Sequence, residues 1–517
     1  MFSRTKAFAV IGFTALTYFG CQSFTKRNIA QEDVAHNPVL TAVGVDAQPT
    51  DELTAFEDLL SQGKYPDKLV DYKPFKYEVL FTDPVCGIYK YNTPVYSQSG
   101  QKLTQKPENV YCKNKYDLKR SGDRSSSPQY RLVEWINQLI QSNSSNKEIF
   151  FTYLSFRNRA VKDALCVAAK NGVKINFVMS STEDQTAAQE LVACNPELVH
   201  MKTRGMEGGL GYAHNKFFII NPYSKREFKI VFSSGNMTSG PVIHHENWNF
   251  ITTHAQSHFA QSHVCTMNAE WNDKTGRDRK SYMQAVKDCR LAIKAPEEKD
   301  IKVFFVPGEG EPESGITKKT AVDYMLNGQD GYPGILNAKK IWMGCHRFFY
   351  SKMVNALSKR MSYVQKPEMR IVADDDTFYK ANDPEYTIGD TMPEEYTRMK
   401  QLADKGAQIK FMETNGDEHQ LHHSKYLIFG TYDKKPSDNP VDDFKAVFTG
   451  SANLTGAGFN KNWENSYYIT IPEVVKAFAN HYMYTWEKLA TSPEMLPKQG
   501  LVADKLIDQP IIKDSKE

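Results

Sequence analysis

The chain has 517 residues, 40 % of them hydrophobic and 12 % aromatic. That is enough apolar surface to bury substantial cores, and the length favours two large domains over one and excludes wholesale disorder. Its 64 basic and 61 acidic side chains leave a formal charge of only +3, so composition supplies no broad electrostatic footprint for nucleic acid, and any anion site must be local.

Residues 1–21 have the layout of an export signal: Arg4 and Lys6 precede an apolar run over 7–19 that ends at Gly20 and Cys21. The run is too short to span a bilayer comfortably. Gly20-Cys21 resembles the end of a bacterial lipobox, which makes Cys21 the lipidated first residue of the mature protein, although Tyr18 and Phe19 stand where Leu and a small residue are usual. A simple cleaved signal and an uncleaved anchor are the alternatives. Residues 22–72 are polar with few apolar repeats and read as a tether with one short helix around 53–60.

From there the chain makes two passes through one pattern, offset by roughly 210 residues, which is a duplication at domain scale. The first pass, residues 73–298, opens with a strand at 78–82 and a helix at 129–140 that repeats Leu132, Ile136 and Leu139 at helical spacing. A β-rich run at 149–154 follows, then a helix at 158–170 with Val161, Ala164, Leu165 and Ala168 on one face and Gly172 as its stop. A strand at 173–179 completes a β-α-β unit, which calls for a sheet with parallel strands and helices on its faces. The second pass, residues 299–496, carries strands at 301–306 and 340–343, a helix at 350–360, a strand at 369–372, a helix at 394–403 and a strand at 408–412. The boundary falls near 295–300, and 497–517 read as a polar tail.

The eight cysteines fit an oxidising compartment if Cys21 is consumed by processing and six of the others pair. Neighbours in sequence suggest Cys86 with Cys112, Cys166 with Cys194 and Cys265 with Cys289, leaving Cys345. The alternative is that Cys166 and Cys345 are buried thiols. No C-x-x-C pair offers a zinc site.

The chemistry lies in what each pass carries next. The first has His214 and Lys216 two apart at the mouth of an apolar strand, a turn at Asn221-Pro222, a second apolar strand, Ser233-Ser234-Gly235-Asn236-Met237-Thr238, and then Glu246-Asn247. The second repeats the order with His423 and Lys425, Gly450-Ser451-Ala452-Asn453-Leu454-Thr455, and Glu464-Asn465. One H-x-K is weak evidence, since a His beside a Lys is usually a solvated pair. The ordered recurrence of four features in both halves outweighs it.

These residues resemble the phospholipase D superfamily, whose signature is H-x-K-x-x-x-x-D followed by G-S-x-N, once per half. The resemblance spans about residues 77–489. It implies an α/β fold of two homologous domains, each a mixed β-sheet flanked by helices, related by a pseudo-two-fold axis with one shared active site. Here Asn221 and Gly430 replace the signature Asp, and Ser233 replaces the first Gly; tyrosyl-DNA phosphodiesterases also lack that Asp.

The implied site takes His214, Lys216 and Asn236 from one half and His423, Lys425 and Asn453 from the other, with no cofactor and no metal. A phosphodiester repels anionic nucleophiles, so a neutral imidazole suits the attack, and a second, protonated imidazole suits release of the alkoxide. The lysines and asparagines would donate to the non-bridging oxygens, joined by the hydroxyls of Ser234 and Ser451 as substrate contacts. By similarity, His214 is the nucleophile that forms a phosphohistidine and His423 the acid; pseudo-symmetry also allows the reverse. Glu246 and Glu464 would hold each imidazole by its other nitrogen. The glycine-rich segment 206–211 reads as a cleft loop, Trp248 and Trp463 as core packing, and His244, His245, His419 and His422 as polar loop residues.

The expected activity is hydrolysis or exchange of phospholipid headgroups at a membrane surface. The alternative is a secreted nuclease using the same site on DNA or RNA, with a cardiolipin-synthase-like transferase and a non-catalytic binding protein behind it. No obligate protein partner is evident.

Overall fold

The computed structural model describes residues 40–42, 76–83, 90–105, 128–205, 211–224, 227–238, 244–273, 278–312, 319–329, 331–386, 391–414, 421–498 and 506–507. The export signal with Cys21, the helix at 53–60, the pairing of Cys86 with Cys112, residues 206–210, His419 and nearly all of the tail lie outside them.

In chain order the first half supplies β1 (Leu40–Ala42), β2 (Lys76–Thr82), β3 (Lys90–Tyr96), β4 (Lys102–Gln105), β5 (Glu148–Tyr153), β6 (Lys174–Ser180), β7 (Val199–Arg204), β8 (Phe217–Ile220), β9 (Glu227–Ser233) and β10 (Glu246–His254). The second supplies β11 (Ile301–Val306), β12 (Lys340–Cys345), β13 (Glu368–Asp374), β14 (Gln408–Met412), β15 (Lys425–Gly430), β16 (Phe444–Gly450) and β17 (Glu464–Ile469), followed by β18 (Leu506–Ile507). The first sheet runs β1-β2-β10-β9-β8-β5-β6-β7 and the second β11-β17-β16-β15-β12-β13-β14, with β18-β3-β4 as a small third sheet. Setting aside β1, the two large sheets have the same strand order, which makes the duplication seen in the sequence a duplication of topology.

Both sheets are mixed. Only the β-α-β portions, β5-β6-β7 and β12-β13-β14, are parallel. The strands that carry the motifs pair antiparallel, β8 with β9 and β15 with β16, joined by a short turn in the first half and by a longer insertion over 431–443 in the second, whereas parallel neighbours need a crossover helix. Asn221 sits in the short turn with φ 53°, a left-handed conformation that Asn tolerates better than most residues. In the first half the position of the signature Asp is thus a turn position, where the Asn221 Oδ1 accepts the Glu148 N–H at 3.4 Å; in the second it is Gly430, the last residue of β15.

The helices follow from apolar periodicity and capping. The helix Arg159–Lys170 starts where the Asn158 side chain accepts the Val161 N–H, and it buries Val161, Ala164, Leu165 and Ala168. Gly172 ends it with φ 83°, as its position after the last apolar residue predicts. This face packs with Leu132, Ile136, Phe151 and Phe177 as the outer core of the first half. Met353, Leu357, Met399 and Phe411 build the corresponding core of the second.

Between the sheets lies a third cluster that draws on both halves. Phe217, Ile219 and Phe232 of the first meet Tyr426, Val447 and Tyr467 of the second, with Phe259 and Phe478 contributed by helices His258–Asn272 and Pro472–Tyr484. Phe232 and Tyr467 stack with centroids 3.6 Å apart. The two halves therefore share one central layer, and that layer brings the two motifs to a common cleft. Trp248 and Trp463 are each 1 % exposed, in keeping with core packing. Two disulfides join Cys166 to Cys194 and Cys265 to Cys289, and Cys345 is a buried free thiol. Among the described residues no helix is long and apolar enough to cross a membrane.

Candidate active site

Each H-x-K segment is stitched to the opposite half. The His214 N–H donates to the Trp463 carbonyl at 2.9 Å, beside a bridge between Ala213 and Trp463. Reciprocally, the His423 N–H donates to the His245 carbonyl at 3.0 Å, beside a bridge between His422 and His245. Contacts that repeat with the partners exchanged are the mark of two-fold self-complementarity. They place each motif just ahead of the other half's E-N strand, β17 or β10.

The carboxylates are consequently exchanged as well. The His214 Nδ1–H donates to Glu464 Oε2 at 2.7 Å, and the His423 Nδ1–H donates to Glu246 Oε1 at 2.7 Å. Each glutamate orients the imidazole of the half to which it does not belong, and both are fully buried. Ser234 Oγ donates to Glu246 Oε2 and Ser451 Oγ to Glu464 Oε2, each at 2.5 Å. This corrects the expectation that these hydroxyls face the substrate: their protons are committed to the carboxylates, and their oxygens accept the N–H groups of Asn247 and Asn465 at 3.0 Å.

Lys216 Nζ donates to His214 Nε2 at 2.9 Å and to the His214 carbonyl at 3.0 Å. Lys425 Nζ donates to the His423 carbonyl at 2.6 Å and to the Ser234 carbonyl at 3.3 Å. Asn236 and Asn453 follow β9 and β16, and the Oδ1 of each is buried without a hydrogen-bond partner in the protein. All eight residues assigned to catalysis from the sequence are thus in or against one site.

The family described as Cardiolipin synthase, PLD-like domain matches residues 136–271 and 335–486, one segment in each half and together more than half of the chain. The chain belongs to the phospholipase D superfamily. Phosphatidylserine synthase from Haemophilus influenzae is similar in structure with TM-score 0.48 at 12 % identity, over 70 % of this chain and 86 % of that one. Nuc from Salmonella typhimurium, a phospholipase D family member, has TM-score 0.25 at 21 % identity, over 37 % of this chain and 96 % of its own. Yeast tyrosyl-DNA phosphodiesterase has TM-score 0.42 at 11 % identity, over 65 % and 87 %. No curated protein matches the sequence. Members of the superfamily act on phosphodiester bonds, and the chemistry of this cleft is of that class.

Burial sets the electrostatics of this site. It lowers the His214 and His423 pKa values against the pull of Glu464 and Glu246, and His423, beside Lys425 and His244, is held well below the usual imidazole range. Burial alone would raise the two glutamates, yet the facing imidazole, lysine and hydrogen bonds hold both below the usual carboxylate range, Glu246 well below it. Burial also pushes the Lys216 ammonium down to about 8 against the attraction of Glu464 and Glu246, and lowers Lys425 well below its ordinary value. The two ionised glutamates balance the two ammonium groups, and with both imidazoles neutral the lysines are the cationic donors that an entering phosphate meets.

The second half carries extra imidazoles that sequence reasoning left aside. His346, just past β12, lies with its ring centroid 4.5 Å from that of His423; Leu154 holds the equivalent place past β5. His245 and His422 are not polar loop residues: they are 1 % and 2 % exposed. Asp83 bridges His245 Nδ1 and His481 Nε2, each at 2.8 Å. Ala213 and Trp463 occupy the equivalent places at the other junction. The available signal was that mismatch between the repeats, histidines before Glu246 and before His423 where the residues before Glu464 and His214 are Trp463 and Ala213.

Proposed function

We propose that the chain is a phosphodiesterase that hydrolyses or exchanges phospholipid headgroups through a covalent phosphohistidine on His214. The observation that carries the reading is the exchange of carboxylates, which fixes two imidazoles with their Nδ1 protons buried and their Nε2 atoms left for chemistry. The Lys216 hydrogen bond requires a lone pair on His214 Nε2, which is the form a nucleophile needs. The deeper depression of the His423 pKa taken alone favours the reverse assignment; the Lys216 bond and the family resemblance support His214.

With the anionic phosphate bound, His423 takes up a proton from solvent on Nε2; in the first step His214 Nε2 attacks phosphorus, the bond to the leaving oxygen breaks, and that proton passes to the departing alkoxide. In the second, neutral His423 takes a proton from water or an alcohol, the new oxygen bonds to phosphorus, and the P–N bond breaks to restore His214. Lys216, Lys425 and the amides of Asn236 and Asn453 offset the charge on the non-bridging oxygens, so the side chains themselves supply what a metal supplies in other phosphodiesterases.

Phospholipid is favoured over nucleic acid because the charge is nearly balanced at +3, where a nuclease calls for a basic groove. Export through the N-terminal signal, with Cys21 as lipid anchor, would hold the enzyme at a membrane outside the cytosol. The two disulfides support that location.

The test is turnover of fluorescent phosphatidylcholine, cardiolipin and single-stranded DNA, each with and without EDTA. Phospholipid turnover that survives EDTA, and a His214→Ala variant that forms no acid-labile phosphoenzyme, are expected. Faster cleavage of DNA would replace the lipid reading with the nuclease one, and failure to cleave any diester would leave a binding protein.

A further inference from the structure

The settings of the two glutamates differ at one position. Glu464 in the first imidazole's setting receives the Asn462 amide, Nδ2 donating to Oε1 at 3.1 Å. The equivalent position beside Glu246 is His244, whose Nδ1 lies 3.5 Å from Glu246 Oε1. His423 Nδ1 lies 2.7 Å from the same oxygen, and one donor atom from each of His244, Glu246 and His423 falls within 4.8 Å of the others. Two imidazoles and a carboxylate are the donor set of open zinc sites, which bind at roughly 2.0–2.1 Å and so place neighbouring ligands about 3.3 Å apart. The spacing between His244 and Glu246 is already near that edge length, and the pair of His423 and Glu246 needs to open by only about half an ångström.

We infer that His244, Glu246 and His423 form a binding site for a borderline-soft divalent cation, zinc above all, and that its occupation switches the enzyme off. The inhibitory half of this inference rests on the catalytic role proposed for His423; the binding half does not. A cation on His423 Nδ1 displaces the proton that Glu246 otherwise accepts, and that single proton of the neutral ring moves to Nε2. The imidazole has no lone pair left with which to take a proton from water, so the second chemical step stops. Hard cations such as magnesium and calcium prefer oxygen ligands and do not compete for two imidazoles. In the opposite half Asn462 offers an amide in place of the second imidazole, so the geometry there lacks a third soft ligand.

The experiment measures zinc binding to the full chain by equilibrium dialysis, alongside turnover of fluorescent phosphatidylcholine relative to each protein's own rate in EDTA. The wild type is expected to bind one tight equivalent and to lose activity as that equivalent fills, with recovery on chelation and no effect of magnesium. His244→Asn, which copies the other half, should weaken that binding by at least about tenfold, in the range seen when a supporting interaction is lost from a metal site. Asn462→His should add a second equivalent at His214 and Glu464, which serves as a gain-of-function control if His244→Asn fails to fold. Wild type without a tight equivalent, or a folded His244→Asn variant with unchanged affinity, overturns the site. Tight binding that leaves turnover untouched overturns the inhibition. If no diester is cleaved at all, dialysis still decides the site, and the failure belongs to the phosphodiesterase reading.

Discussion

Glu464→Gln isolates the crossed pairing, because it changes a residue of the second half and is expected to damage the histidine of the first. Glu464 Oε2 accepts from both His214 and Ser451, and Oε1 accepts from Asn462. A glutamine keeps its amide oxygen best at the doubly used position, which turns its NH2 group against the Asn462 amide. His214 then retains its tautomer but loses the charge that steadies it as it becomes cationic on phosphorylation. A hydrogen bond to a charged group is worth about 1.5–3 kcal/mol, which corresponds to roughly a 10- to 150-fold loss in rate. If the glutamine turns over instead, it donates to Nδ1, forces the proton to Nε2 and removes the nucleophile, and the loss approaches the ~10⁴-fold seen where a triad carboxylate is neutralised in serine proteases. The assay is quenched flow with a p-nitrophenyl ester of phosphocholine, whose leaving group departs without a proton. Glu464→Gln should abolish the burst of nitrophenolate, whereas Glu246→Gln, which weakens only His423, should show a full burst and a slow steady state. A burst in Glu464→Gln and none in Glu246→Gln would refute both the crossed pairing of roles and the assignment of His214.

Because Lys216 must stay charged and burial pushes it down to about 8, kcat/KM should fall on the alkaline side with an apparent pKa near 8, as read from a pH profile; a flat profile to pH 10 would remove Lys216 from the charge-offsetting set. Burial also lowers His254 to about 4 and both His263 and His422 to about 3, so below their unfolded value of about 6.5 the unfolded chain binds more protons than the folded one and stability must drop as pH falls from there toward 3. Thermal melting between pH 7 and 4 checks this. The buried carboxyls of Glu270 and Glu298, raised to about 7 and about 8, act in the opposite sense and cost stability as pH rises from about 4.5; Glu298→Gln should therefore raise the melting temperature at pH 8 but not at pH 5. The disulfide between Cys166 and Cys194 closes a loop of 28 residues' separation, worth about 3.5 kcal/mol by chain entropy. Replacing both cysteines with serine should lower stability by about that amount in denaturant titration and leave kcat unchanged.

Much of this architecture was legible because it is repeated. The recurrence of His, Lys, Ser, Asn and Glu in one order identified the site, and nearest-neighbour pairing found Cys166 with Cys194 and Cys265 with Cys289. Linear order could not reveal which glutamate serves which histidine: Glu246 stands far closer to His214 in sequence than Glu464 does, yet the bond spans 250 positions. The serines misled for a related reason, since a hydroxyl in a phosphate motif reads as a phosphate donor until a buried carboxylate is seen to take its proton. His245 and His422 read as polar because histidine is seldom buried unpaired; Asp83, far away in sequence, supplies the pairing for His245 and also holds His481, whereas both ring nitrogens of His422 are buried without a hydrogen-bond partner. The β-α-β units announced parallel strands correctly, but the motif hairpins that make the sheets mixed were visible only as two apolar runs around a turn.

The exchanged carboxylates also bear on how the protein is made. A ribosome that has delivered His214 and Lys216 must add nearly all of the second half before Glu464 and Asn465 arrive to seat them. Until then the nascent chain holds an imidazole with no fixed tautomer and a lysine segment with no anchor. The site is therefore assembled only once the second half has been made and the two halves close on each other.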